Sequence, residues 1–269
     1  MQGRGGVEES IREMKIHFLG TGTSTGVPVI GCTCPTCTST DMRDHRLRTS
    51  AIVEYQGKTI LIDVGPDFRQ QMLRARNYEI DAILLTHHHY DHVGGIDDIR
   101  GLNYSTRRRF EIYALSSTRA SLQKSLYYVF EAHPYPGIPR FDINVVEYNI
   151  PFMAAGVEVV PLEVIHGAMP IAGYRIGPLA YITDASSLPE ETIEAIRGVD
   201  TLVLNALGMF EHPSHFSLPQ SIEVARQVGA RQTYFIHASH HMGLQSEAEK
   251  MLPESMNIAY DGLEVEVRE

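Results

Sequence analysis

Three observations make the chain a single α+β domain. Short apolar runs of strand length recur, and several stop on a histidine or an aspartate. Helix-length stretches lie between them, at 119–130 and at 218–228, the latter with Ser217 as a suitable N-cap. Finally, 269 residues with 43% hydrophobic content can bury one sizeable core, and no repeat or low-complexity tract divides them. No apolar run approaches the roughly 18 residues that a membrane span needs. Residues 1–13 are polar and glycine-containing, without the apolar centre of a signal peptide, and read as a flexible tail or an upstream start. Residues 14–269 read as the domain, with an excursion between core strands at 101–140.

Taken in order, the first strand-like run enters Gly20-Thr21-Gly22-Thr23-Ser24-Thr25-Gly26-Val27-Pro28. This loop lacks the Gly-Lys-Ser/Thr of a P-loop and the spacing of a dinucleotide fingerprint, so it reads as a tight turn. Cys32, Cys34 and Cys37 follow, the only cysteines in the chain. Without a secretory segment a cytoplasmic protein is expected, and disulfides are disfavoured there. Three thiols so close together, beside Gly and Pro, suggest a structural zinc, with reduced thiols in a mobile loop as the plain alternative. Such a site lacks one ligand; His240 is the best candidate, and His241 is the other. Arg46, Arg48 and Ser50 lead into a strand at 51–55, placed either to touch a substrate phosphate or simply at the surface. Another strand ends at Asp63.

The most informative stretch follows the apolar run Ala82-Ile83-Leu84-Leu85: Thr86-His87-His88-His89-Tyr90-Asp91-His92, then Val93-Gly94-Gly95. Side chains two apart in an extended segment leave on one face, so His87 and His89 converge. Asp91 and His92, past the turn, reach a neighbouring point. Imidazole and carboxylate are ligands for zinc, manganese and iron, and two adjacent ions are the natural reading. Three later strands each deliver one further ligand-type residue at their ends: His166, Asp184 and His237. His88 is expected to point away, and His17 and His45 have no evident partner.

His87-x-His89-x-Asp91-His92 followed by His166, Asp184 and His237 resembles the metallo-β-lactamase superfamily of metallohydrolases. The likeness covers nearly the whole chain from about Lys15. It implies a four-layer αβ/βα sandwich, two mixed sheets flanked by helices, with metals at one edge. It also implies that His87, His89 and His166 hold one ion and Asp91, His92 and His237 the other, with Asp184 bridging. Asp63 would buttress the histidine loop. The Cys-x-Cys-x-x-Cys loop, His240, the Gly20–Pro28 turn and Tyr260-Asp261-Gly262 are similar to the branch whose phosphodiesterase opens phosphoribosyl cyclic phosphate. In that branch the cysteines and the histidine form a structural zinc site. His215 matches a histidine that the branch places beside the leaving group, and His212 is a second candidate. The excursion would shape the substrate pocket, where His133 either faces substrate or packs as a structural residue.

The implied activity is hydrolysis of small phosphodiesters, cyclic ribose or nucleotide phosphates, by a hydroxide bridging two zinc or manganese ions. In that scheme Asp91, Asp184 and His215 are the catalytic side chains, and His212, Arg48 and His133 the candidate substrate contacts. A net charge of −10 argues against a broad nucleic-acid surface. Arg107-Arg108-Arg109, with Arg100 nearby, is either a solvated corner or a local attractor for phosphate. No membrane association is expected, and a homodimer would agree with the resemblance. Alternatives are a tRNA 3′-end endonuclease, which usually carries a basic arm, a thioesterase, or a non-catalytic metal sensor.

Overall fold

The computed structural model describes residues 13–131 and 135–269. The expected tail therefore lies, but for residue 13, outside the described residues, as does His133. In chain order the first six strands are β1 (Met14–Gly20), β2 (Ser50–Tyr55), β3 (Lys58–Ile62), β4 (Ala82–Leu84), β5 (Phe110–Ala114) and β6 (Phe141–Val145). They form one sheet, which β14 (Glu264–Val267) completes beside β1 in the order β14-β1-β2-β3-β4-β5-β6. The second sheet holds β7 (Phe152–Ala154), β8 (Val157–His166), β9 (Met169–Ile176), β10 (Leu179–Tyr181), β11 (Thr201–Asn205), β12 (Gln232–Ile236) and β13 (Met256–Ile258). Both sheets are mixed. Strands β3 to β6 run parallel to their neighbours, as do β10 to β13, while β1–β2–β3 and β7–β8–β9 are antiparallel.

Helices α1 (Phe68–Ala75), α2 (Tyr90–Val93), α3 (Ile99–Thr106) and α4 (Ser116–Ser125) connect strands of the first sheet. Helices α5 (Glu190–Ala195), α6 (Leu218–Val228) and α7 (Gln245–Ala248) belong to the second. Both predicted helices are present, α6 over the range expected. At its start the Gln220 side chain accepts from the Ser217 backbone N–H at 2.9 Å, one half of a capping box.

Three apolar clusters separate four layers. One lies between the sheets and includes Phe18, Ile60, Leu84, Tyr174 and Tyr181. A second packs Phe68, Met72, Ile99 and Leu122 of the helices onto the first sheet. The third packs Ile193, Leu218 and Ala225 onto the second sheet. Strands covered on both faces lose the polar alternation of half-buried ones, which is why Ala82–Leu84 and Leu179–Tyr181 are wholly apolar or aromatic.

The 101–140 stretch needs correction as an excursion. It carries β5, which sits inside the first sheet between β4 and β6. The five residues of that strand alternate buried and partly exposed positions too briefly to stand out beside the preceding arginines. Two of the three arginines are paired: Arg108 reaches Asp81 at 3.2 Å, and Arg109 grips the Asp142 carboxylate. Arg100 pairs with Asp97 at 3.0 Å.

Arg46 is also corrected. It is buried, as is Ser50, so neither faces a substrate. Its guanidinium donates to Thr21 Oγ1 at 2.8 Å, to the Ala259 carbonyl at 2.6 Å and to the Gln245 side chain. Gln245 in turn donates its backbone N–H to the Asp44 carboxylate at 2.7 Å. One cation thereby joins the turn after β1, the cysteine loop and the C-terminal segment. Replacing it strands three acceptors in the interior. Arg46→Met should lower stability by about 2–4 kcal/mol in equilibrium denaturant unfolding; an unchanged midpoint would show the strut to be dispensable.

Candidate metal centre

Each sheet sends ligands to the same seam. From the first sheet, the loop after β4 carries His87, His89, Asp91 and His92; from the second, β8, β10 and β12 end at or just before His166, Asp184 and His237. The sheets are pinned together beside this point. The Tyr174 hydroxyl donates to the Leu85 carbonyl at 2.7 Å, and the Ala172 N–H to the Thr86 carbonyl at 3.0 Å.

Ligand atoms gather in two groups, His87–His89–His166 and Asp91–His92–Asp184–His237, and a third, His166–Asp184–His215, shares one residue with each. In the first, His87 Nε2 lies 3.0 Å from His89 Nδ1. In the second, His92 Nε2 lies 3.3 Å from Asp91 Oδ2 and 3.2 Å from Asp184 Oδ1. His237 Nε2 lies 3.2 Å from Asp184 Oδ2, which is also 3.9 Å from His87 Nε2. Asp184 thus touches both groups.

The donor set fits metal ions. His92 Nε2 and both ring nitrogens of His237 are buried and have no hydrogen-bond partner, although carboxylate oxygens stand close by. Two ligands on a tetrahedral ion with bonds near 2.1 Å are about 3.4 Å apart. The observed separations are those of atoms facing a common ion rather than one another. The electrostatics agree. Burial raises a carboxyl, yet His237 and His92 outweigh it and hold both Asp91 and Asp184 well below the usual carboxylate range. Burial and the neighbouring His92 push His87 well down, leaving the neutral, ligating imidazole. At His92, burial acts downward but Asp184 and Asp63 override it and raise the imidazole well above its ordinary value. The pocket's field favours a positive charge.

Further contacts orient the ligands. Asp63 is fully buried and accepts from the Thr86 N–H and hydroxyl, both at 2.8 Å, while its Oδ2 lies 2.7 Å from His92 Nδ1. It therefore holds both ends of the histidine loop. His166 Nδ1 donates to the Ser214 carbonyl at 2.7 Å. Asn205 fixes the residue after Asp184 in both directions, accepting from the Ala185 N–H at 2.7 Å and donating to its carbonyl at 3.0 Å. Asp63, Asp184 and His237 have φ of 61°, 57° and 57°, the left-handed region that non-glycine residues seldom occupy. Such conformations cost about 1–3 kcal/mol each and cluster at functional sites.

His215 stands at the rim, its Nε2 3.2 Å from Asp184 Oδ2. Burial lowers its pKa, partly offset by Asp184. His212 Nδ1 lies 3.2 Å from His215 Nδ1, and Ser214 Oγ is 3.0 Å from the latter. Arg48 is engaged elsewhere, pairing with Asp67 at 3.1 Å and donating to the Ser24 carbonyl. His88 joins neither group among the described residues. His17 lies 3.7 Å from Glu264, and His45 Nε2 is 2.9 Å from the Ser39 carbonyl.

A separate cluster joins Cys32, Cys34 and Cys37 to His240, whose Nδ1 is 3.3, 3.5 and 3.5 Å from the three sulfurs; His241 is not part of it. The Cys37 backbone N–H lowers the Cys34 thiol to about 6 against the opposing effect of burial, with Cys32 and His240 adding to the shift. Burial raises Cys37 to about 11. A closed Cys₃His set suits a structural zinc. It ties the cysteine loop to the peptide three residues beyond His237.

Comparison with known proteins agrees with this geometry. The β-lactamase superfamily domain matches residues 58–238. A crystal structure of a new diphosphatase from the PhnP family superposes with a TM-score of 0.88 at 40% identity, covering 94% of this chain and 97% of that one. An octanoyltransferase from Porphyromonas gingivalis is 43% identical over 258 residues, 95% of this chain but 52% of that protein, so the chain spans about half its length. Ribonuclease Z from Methanopyrus kandleri is 25% identical over 299 residues, 96% of this chain and 99% of that protein.

Two expectations follow. Asp63→Asn should weaken binding at the histidine centre about 10–100-fold in a chelator competition, whereas His88→Ala should leave it unchanged; equal effects would deny Asp63 its role. Cys34→Ser should lower the melting temperature and active-site metal occupancy together, because His240 and His237 share one peptide; wild-type values of both would uncouple the clusters.

Proposed function

The chain belongs to the β-lactamase superfamily and, within it, to the PhnP family of metal-dependent hydrolases, and we propose that it cleaves small phosphodiesters with two divalent ions, zinc or manganese. Cyclic ribose phosphates and small nucleotide phosphodiesters are the substrates we favour. One observation carries the reading: a single buried carboxylate, Asp184, contacts both ligand groups and also the rim histidine His215.

When bound, the ions supply Lewis acidity at the phosphoryl oxygen and make water acidic enough to attack phosphorus near neutral pH. His87, His89 and His166 would hold one ion, Asp91, His92 and His237 the other, and Asp184 would lie between them. Asp63, Ser214 and Asn205 fix these side chains before substrate arrives, so little reorganisation accompanies the reaction. His215 supplies a proton. Its Nε2–H, held toward Asp184 Oδ2, passes to the oxygen that leaves phosphorus as the P–O bond breaks, giving an alcohol and a phosphomonoester. Burial lowers the pKa of this imidazole, while Asp184 opposes the shift and favours the protonated, proton-donating form.

The alternatives fit less well. The octanoyltransferase name belongs to a protein about twice as long, and all three cysteines here stand in the Cys–His cluster, away from a role as acyl carrier at the metal centre. An endonuclease gripping RNA would want a basic face, whereas the net charge is −10 and Arg108 and Arg109 are paired with aspartates.

Metal-loaded enzyme should hydrolyse bis(p-nitrophenyl) phosphate and at least one cyclic ribose or nucleotide phosphate, and Asp184→Ala should abolish both activities. His215→Ala should reduce kcat by roughly 10²–10⁴ while retaining both active-site ions. Loss of an ion in that variant would make His215 a ligand instead, and absence of turnover in fully loaded wild type would overturn the phosphodiester reading.

A further inference from the structure

We propose that His212, Ser214 and His215 form a cation site at the rim of the metal centre, for one further transition-metal ion such as Zn(II) or Ni(II). Its atoms, His212 Nδ1, Ser214 Oγ and His215 Nδ1, are distinct from those that approach Asp184.

The three atoms make a close triangle. The two ring nitrogens lie 3.2 Å apart, and Ser214 Oγ lies 3.2 Å from His212 Nδ1 and 3.0 Å from His215 Nδ1. Too few hydrogens are present to bridge these contacts. Asp184 Oδ2, 3.2 Å from His215 Nε2, can only accept, so that nitrogen carries the hydrogen of the neutral ring and Nδ1 is bare. The Ser214 backbone N–H points at His212 Nδ1 from 3.4 Å, so this nitrogen is bare as well. The Ser214 hydroxyl can give its one hydrogen to only one of them. Two lone pairs therefore face each other, and a shared cation is what they lack. Ligand atoms on one ion with bonds near 2.1 Å stand about 3.0 Å apart at octahedral angles and about 3.4 Å at tetrahedral ones, a range the triangle fits.

The triangle is held in place and open to solvent. His215 stacks on the ligand His237, ring centroids 4.9 Å apart and planes at 12°, and meets His166 edge-on at 4.7 Å. Ser214 is fixed through its carbonyl, which accepts from His166 Nδ1. His212 is exposed, so an ion arrives from solvent without disturbing the seam. Imidazole suits zinc and nickel, whereas manganese and magnesium favour oxygen ligands. With no charged ligand, the rim holds its ion more weakly than the groups around Asp184 or the Cys₃His set, and fills after them. An ion on His215 Nδ1 also takes the place of the second proton that makes this imidazole an acid. A filled rim would then stop proton donation to the leaving oxygen, a consequence that rests on the phosphodiester reading above, whereas the site itself does not.

The test is a calorimetric titration of zinc-loaded protein with Ni(II), with crystals of the product measured at the nickel edge. Wild type should take up one nickel per chain without releasing zinc, with its anomalous peak about 2.1 Å from both Nδ1 atoms. His212→Ala should keep its zinc and bind nickel at least about tenfold more weakly. Nickel that only displaces zinc, that sits elsewhere, or that binds His212→Ala as tightly would overturn the proposal. Excess nickel should also slow hydrolysis of bis(p-nitrophenyl) phosphate by wild type at least about tenfold, and the same concentration should leave His212→Ala at its own nickel-free rate. Nickel seated at the rim without loss of turnover would uphold the site and contradict the role of His215 as acid.

Discussion

Everything else in this molecule is arranged around the crowding of imidazoles and carboxylates in one buried seam. His87, His92, Asp184 and His237 are all nearly excluded from solvent, with atoms of neighbouring side chains within 3.2 to 3.9 Å. Such a set is costly in a low-dielectric interior unless a cation completes it. The cost is distributed over the fold. One sheet contributes the loop after β4, the other the ends of β8, β10 and β12, and the groups His87–His89–His166 and Asp91–His92–Asp184–His237 each draw on both. Joining the sheets and forming the centre are therefore one event.

The supporting structure is correspondingly rigid. Three residues at the seam sit in the left-handed backbone region, and each is held by bonds that leave few alternatives. Asp63 spans the histidine loop, Asn205 clamps the turn after Asp184, and the Thr23 N–H donates to the Ala238 carbonyl beside His237. Farther out, Asp261 accepts from the Thr21 and Leu47 N–H groups at 2.9 and 2.8 Å, while Arg46 and the Cys–His cluster gather the same loops from the other side. Strain at the ligands is tolerated because the packing around them is over-determined.

Much of this was legible in the chain itself, for identifiable reasons. The period of an extended strand fixes which of the loop histidines can converge, and few residue types ligate metals, so His87, His89 and the three later strand ends declared themselves. The helix from Leu218 to Val228 announced itself by its cap and apolar spacing. What stayed hidden depends on tertiary neighbours. Phe110–Ala114 is a strand because β4 and β6 flank it, not because five residues show a pattern. Arg46 looks like a surface cation until the carbonyl of Ala259 and the side chain of Gln245 close over it. Asn205 and Tyr174 carry no local signal of their roles, since their partners lie 20 and 89 residues away. The left-handed turns at Asp184 and His237 are likewise imposed from outside, at residues without the backbone freedom of glycine.

In the proposed arrangement Asp184 joins two ion sites while a third ion ties the cysteine loop to His240. Crystals of the zinc-loaded protein, measured by anomalous diffraction at the zinc edge, test it most directly. The account predicts three peaks per chain: two roughly 3.5–4 Å apart on either side of Asp184, and one among Cys32, Cys34, Cys37 and His240. A single peak at the histidine centre in fully loaded protein, or a pair that does not contact Asp184, would contradict it.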